Sequence, residues 1–210
     1  MLEAVILSNG IYGGIAGLTP AGAGINARIA ETGPDFALNL DGADLVIVPN
    51  GSDHFALMKA RDEIARFLAR GGILFCFDGW TMPWLPFHEW VMDNAQRTAD
   101  VRYHRGIDRY RLLDGVDIDA LTFRHGISGW WACGYIDPAP GADILLHDTW
   151  DRAIAVVDDV STPGLLVLTA SGPVGAYDGT DASAQALSRF YRNMLDLAQS
   201  KTPKPQGSLP

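Results

Sequence analysis

Apolar residues along this chain fall into two alternating patterns. Near-continuous apolar runs occur in EAVILS (3–8), DLVIVPNGSD (44–53), ILFCF (73–77) and GLLVLTAS (164–171). Runs without a polar face are the mark of strands covered on both sides, as in a parallel sheet. Between them the spacing turns helical. Leu57, Met58, Ile64, Phe67 and Leu68 predict a helix from Asp53 to Arg70, with Ser52 or Asp53 as N-cap, Gly71 as C-cap and Asp62 supporting Arg66. Leu187, Phe190, Tyr191, Met194 and Leu195 share one face of a final helix predicted from Asp181 to Gln199.

INARIAET (25–32) reads as a short helix, and WVMDNAQ (90–96) as another. DVRYHR and DRYRLL are expected to pair as a hairpin, and ADILLHD and RAIAVVDD to form two further strands. Buried strands alternating with amphipathic helices predict an α/β fold, a flavodoxin-like three-layer sandwich with a mostly parallel central sheet. No linker interrupts the pattern, so residues 1–199 read as one domain. The tail 200–210, SKTPKPQGSLP, is expected to be flexible.

Composition narrows the class. The chain has 210 residues, 48% hydrophobic and 20% charged, which suits a globular core. A net charge of −9 speaks against a nucleic-acid or anionic-membrane partner, since either needs a basic face. No stretch approaches the roughly 18 apolar residues that a spanning helix needs. Glu3 stands where a signal peptide carries basic charge, so the N-terminus reads as a first strand and the expected location is cytoplasmic. Two cysteines, Cys76 and Cys133, make neither a disulfide framework nor a metal cluster, and no cofactor is expected. GAGINA (22–27) mimics a dinucleotide fingerprint but lies too far beyond the first strand to serve as one.

In open α/β sheets ligands sit beyond the carboxyl ends of the strands. Asn9, Asn50, Asp53, His54, Asp78 and Ser171 fall there. His54 reads either as a general base or ligand contact near Asp78, or as a solvated first-turn residue behind an Asp53 cap. Asp78, directly after a buried strand, must be hydrogen-bonded in its turn or exposed in the cleft. TMPWLPFHEWV (81–91) offers Trp84, Phe87 and Trp90 as an aromatic wall, with His88 and Glu89 as polar contacts. The same residues would equally serve as a partner patch or as a loop folded onto the core. FRHGISGWWACGY (123–135) brings His125, Trp130 and Trp131 in a glycine-punctuated loop, the pattern of a functional or interface loop.

The run ADLVIVPNGSDHFALMKARDEIARFLARGGILFCFDGW, with the later GLLVLTASG, resembles the class I glutamine amidotransferase-like superfamily, and in particular its ThuA-like and glycosidase-associated branches. The likeness covers residues 1–80 and 160–198. It implies a cleft at the strand ends, with Asn50-Gly51 at the family's oxyanion-hole turn. Active members carry Gly-x-Cys-x-Gly and a later His-x-Glu. Aligned on Gly79, this chain has Phe77 at the nucleophile position and Cys76 one residue early, and LTASGPVGAYDG contains no His-x-Glu. One residue of offset points the thiol to the opposite face of the strand.

The expected function is therefore a non-glutaminase member. It would bind a small polar, sugar-derived ligand or a partner subunit through Asn50, Gly51, Asp53, His54, Trp84, His88, Trp130, Trp131 and Ser171, with Asp78 and His125 as the acid–base candidates. A thiol-dependent hydrolase or amidotransferase using Cys76 stays open, as does an interaction module, or a homo-oligomer, built on the tryptophan loops.

Overall fold

The computed structural model describes residues 1–10, 15–122, 133–172 and 174–202. His125, Trp130 and Trp131 lie outside these described residues, as does most of the expected tail.

The four apolar runs become strands as expected: β1 (Leu2–Ser8), β3 (Leu45–Val48), β4 (Ile73–Cys76) and β10 (Leu165–Thr169). The remaining strands are β2 (Ile25–Glu31), β5 (Glu89–Met92), β6 (Tyr103–Arg105), β7 (Gly134–Asp137), β8 (Asp143–Asp148) and β9 (Ala153–Asp158). Among the described residues they form one sheet, ordered β2-β1-β3-β4-β10-β9-β7-β5, with β8 pairing β9 and β6. The helices are α1 (Ile15–Leu18), α2 (His54–Ala69), α3 (Ile118–Leu121) and α4 (Ala182–Lys201).

The fold is thus mixed α/β, and the expectation of a mostly parallel sheet is corrected. Strands β2, β1, β3, β4 and β10 run parallel, whereas β9, β7, β5, β8 and β6 join by antiparallel pairing. The reversal comes at β10, which takes β4 on one side in parallel and β9 on the other antiparallel, through a short connection. A short connection between neighbouring strands forces antiparallel pairing, because a parallel one needs a long crossover.

Three local expectations fail for one reason. INARIAE is strand β2, paired with β1 over its whole length from Leu2↔Ile25 to Ser8↔Glu31. Its alanines, arginine and glutamate favour helix, but a seven-residue helix is marginal alone and a complete ladder with β1 outweighs that preference. Likewise Trp90–Met92, expected to be helical, pair with β7, and Tyr103–Arg105 pair with β8 instead of with residues 108–113. That latter stretch is a turn, because the Asp108 carboxylate accepts the Leu112 and Leu113 N–H groups at 2.7 and 2.9 Å.

Both long helices follow the sequence. Asp53 caps α2 by accepting the Phe55 and Ala56 N–H groups. At its end Gly72 N–H donates to Phe67 O and Gly71 N–H to Leu68 O, with Gly71 at φ +89°. This is a Schellman closure, in which glycine takes the left-handed position after the cap residue Arg70. Arg66 pairs with Glu63 at 2.8 Å, not with Asp62 as expected. Asp181 caps α4, and Leu187, Phe190, Tyr191, Met194 and Leu195 are all buried. The helix runs two residues beyond the expected Gln199.

The α2–β4 junction is closely packed. A Cβ at Gly164, just before β10, would lie 2.5 Å from Gly72 O and 3.0 Å from Leu68 O. Backbone cannot yield as a side-chain tip does, so Gly164→Ala is expected to cost about 2 kcal/mol in urea denaturation.

Candidate functional site

The carboxyl ends of β1, β3 and β4 converge on a group of polar side chains. After β3, Pro49 stops the strand and Gly51 turns the chain at φ +78°. The Ser52 hydroxyl closes this turn on Pro49 O at 2.6 Å, and the Asn9 amide beyond β1 donates to Gly51 O. Asp78, beyond β4, accepts the Ser52 N–H at 2.9 Å through Oδ2. The same oxygen faces His54 Nε2, on the first turn of α2, at 3.4 Å. On the far side of the ring, Nδ1 lies 3.3 Å from Thr81 Oγ1 and accepts the Thr81 N–H at 3.5 Å. Because Nδ1 accepts from an amide, the ring proton belongs on Nε2, directed at Asp78.

His54 and Asp78 are partly open to solvent, at 20% and 13% side-chain exposure. Asp78 is therefore both hydrogen-bonded in its turn and partly accessible to solvent. Thr81 is exposed, and so is Phe55, beside His54, at 74%. Underneath, Trp80 and Trp84 pack edge to face at 6.3 Å, both buried. Their indole N–H groups meet no acceptor among the described residues. Trp90 of β5 reaches over from the antiparallel half. Its N–H donates to Ala170 O at 2.7 Å, and a Cβ at Gly79 would lie 2.4 Å from its ring. Gly79 is thus required by the indole packed against it.

Several sequence candidates have other occupations. Asp53 is committed to capping α2. Trp84 was expected to wall the cleft but is 1% exposed, inside the core. His88 is also buried, donating from Nε2 to Asp158 at 2.9 Å while its Nδ1 accepts the Ala139 N–H at 3.2 Å. Asp158 ends β9 and lies opposite Leu166 near the start of β10, so this pair belongs to the other edge of the sheet from Asp78. Burial lowers the His88 pKa, although the Asp158 hydrogen bond and charge act to raise it. Ser171 is buried at the end of β10, and Asn50 and Gly51 form the turn itself.

Cys76 is fully buried in β4. The neighbouring side chains Phe75 and Phe77 share the opposite pleat face, with ring centroids 6.1 Å apart, and Phe77 meets Tyr191 of α4 edge to face. Burial pushes the thiol well above its ordinary range; a backbone hydrogen bond to Asp78 opposes this and the Asp78 charge adds to it. A thiol held protonated is a poor nucleophile.

Sequence reasoning missed Thr81 and Ser52 as members of the group. Thr81 follows Asp78 by three residues, a signal that a polar residue lies just past a strand end, but which loop atom meets which helix is set by the tertiary packing. Among the described residues no group of three or more His, Cys, Asp or Glu side chains is placed to hold a metal ion, and no helix is long and apolar enough to cross a membrane. A scan against protein-family models and a search of curated proteins found no match to this chain.

Proposed function

We propose that the cleft at the carboxyl ends of β1, β3 and β4 binds a small polar ligand, in a non-glutaminase member of the class I glutamine amidotransferase-like fold. The observation that carries this reading is the meeting of His54 and Asp78. They come from different elements, lie 3.4 Å apart and keep part of their surface in solvent. Their exposed edges leave donor and acceptor capacity facing outward, where a polar ligand can reach it. Thr81, the Asn50-Gly51 turn and the exposed Phe55 ring add hydroxyl, amide and aromatic surface, which suits a hydroxylated ligand. A sugar-derived ligand is what the family resemblance implies. The buried thiol weighs against glutaminase or hydrolase chemistry at Cys76. A partner subunit is the second reading, favoured by Phe55 standing 74% exposed on the first turn of α2.

Thermal-shift measurement with monosaccharides and their acid derivatives tests the proposal. A ligand present at 100 times its Kd is expected to stabilise the native state by about 2.7 kcal/mol. That shift should disappear in His54→Gln, a substitution on a partly exposed side chain that leaves the core untouched. If every shift is the same in wild type and His54→Gln, the ligand does not bind here.

A further inference from the structure

Thr81, His54 and Asp78 form a chain whose order and tautomer go beyond ligand contact. The Asp78 carboxylate faces Nε2 at 3.4 Å, and Nδ1 faces the Thr81 hydroxyl at 3.3 Å. The Thr81 amide, at 3.5 Å, also faces Nδ1, which places the ring proton on Nε2. The hydroxyl at 3.3 Å competes with this long amide contact for the Nδ1 lone pair and displaces it when Nδ1 acts as base. A carboxylate that orients an imidazole, which in turn faces an exposed hydroxyl, is the arrangement that activates an alcohol nucleophile. Such contacts are commonly long before substrate binds. The hydroxyl is the outermost member, on the exposed loop beyond β4, where a substrate carbonyl can approach it.

We infer that Thr81 is a nucleophile, activated by His54 and Asp78, and that the chain hydrolyses esters of small polar acids. This rests on the reading of the cleft given above. Thr81 Oγ1 attacks the ester carbonyl carbon, and its proton passes to His54 Nδ1 while Nε2–H stays bonded to Asp78. The tetrahedral centre collapses, the bond to the alcohol oxygen breaks, and His54 returns the proton to that oxygen. Water then attacks the acyl-threonine, again losing its proton to Nδ1. The acid leaves and Thr81 recovers its proton, so the sum is ester plus water to acid plus alcohol.

4-Nitrophenyl acetate is the probe, used with the full chain. The expected result is a burst of 4-nitrophenolate equal to the protein present, with the acetyl group found on Thr81 by peptide mass spectrometry after acid quench. Thr81→Ala and His54→Gln should each slow acylation by at least about 100-fold. Thr81→Ser should restore it, which a merely structural role would not do. Melting temperatures of the variants, measured alongside, separate lost chemistry from lost fold. Absence of a burst in the wild type, a burst that survives Thr81→Ala, or an acetyl group on another residue overturns the proposal. The ligand-induced thermal shift is measured on the wild type in parallel. If it is present while no acyl-threonine forms, the nucleophile is refuted and the binding cleft stands; if it is absent as well, the cleft reading fails with it.

Discussion

Replacing Asp158 by alanine is expected to lower stability by about 3 kcal/mol, because it removes a buried carboxylate that accepts from several donors at once and leaves the neutral His88 ring without its partner. The Asp158 and His88 side chains have no exposure to solvent. Besides His88, the Asp158 carboxylate receives the Val160 and Ser161 N–H groups at 2.8 and 3.0 Å and the Ser161 hydroxyl. Alanine leaves the His88 donor without an acceptor in the buried interior and frees the Val160 and Ser161 donors nearer the surface. Chemical denaturation gives the difference directly, and a loss under about 1 kcal/mol would mean that water replaces the carboxylate.

The same pair sets a direction for pH. The folded His88 pKa lies below the ordinary 6.5, so above about 6.5 its contribution is fully present. As pH falls below that value the unfolded chain takes up a proton that the native ring refuses, and stability declines until the folded pKa is passed. Asp158 follows at lower pH. Burial alone would raise its pKa, but the hydrogen bonds from Ser161, Val160 and His88 together hold it below 3.8. Its contribution is present above about 3.8 and is lost as pH falls through the folded value. Both groups therefore favour the fold on the neutral side; Asp158→Ala should remove the part of the acid limb below about pH 3.8 and deepen the part set by His88, whose pKa loses the partner that raises it.

Cys76 is expected to react with iodoacetamide at least about 1000-fold more slowly in the native protein than in denaturant, because labelling must wait for the sheet to open. The side chain is fully buried in a central strand with β3 on one side and β10 on the other, and its thiol stays protonated. Cys133 is an internal control, since it is only half-buried and should label first. Peptide mass spectrometry over a time course reads both sites. Fast, selective native labelling of Cys76 would restore the thiol-enzyme reading and displace Thr81 as nucleophile.

How much was legible depended on whether local sequence or a distant partner decided each element. The four apolar runs were readable because continuous hydrophobicity over a strand's length has one comfortable home, the inside of a sheet. The start of α2 was readable because Asp53 satisfies N–H groups two or three residues away, and the apolar stripes of α2 and α4 fixed which face turns inward. Cys76 followed from pleat alternation against Gly79. Strands β2 and β5 were not readable as such, since only pairing with β1 and β7 makes strands of them, and β6 was readable as a strand but not as the partner of β8. Trp84 and His88 looked like cleft residues because aromatic and histidine side chains are ambiguous in sequence; burial assigned one to the core and the other to Asp158.

The candidate site divides along the same line. The sequence by itself determined that His54 and Asp78 stand at strand and helix ends on the carboxyl edge of the parallel strands, since that follows from run length, caps and alternation. Only the tertiary structure decided that His54 points at Asp78, that the Ser52 N–H holds the same carboxylate, and that Thr81 closes on the other ring nitrogen. These contacts join residues 24 to 27 positions apart. Their distances depend on how α2 docks between β3 and β4, a rigid-body placement set by buried surface over the whole helix and not by any local pattern.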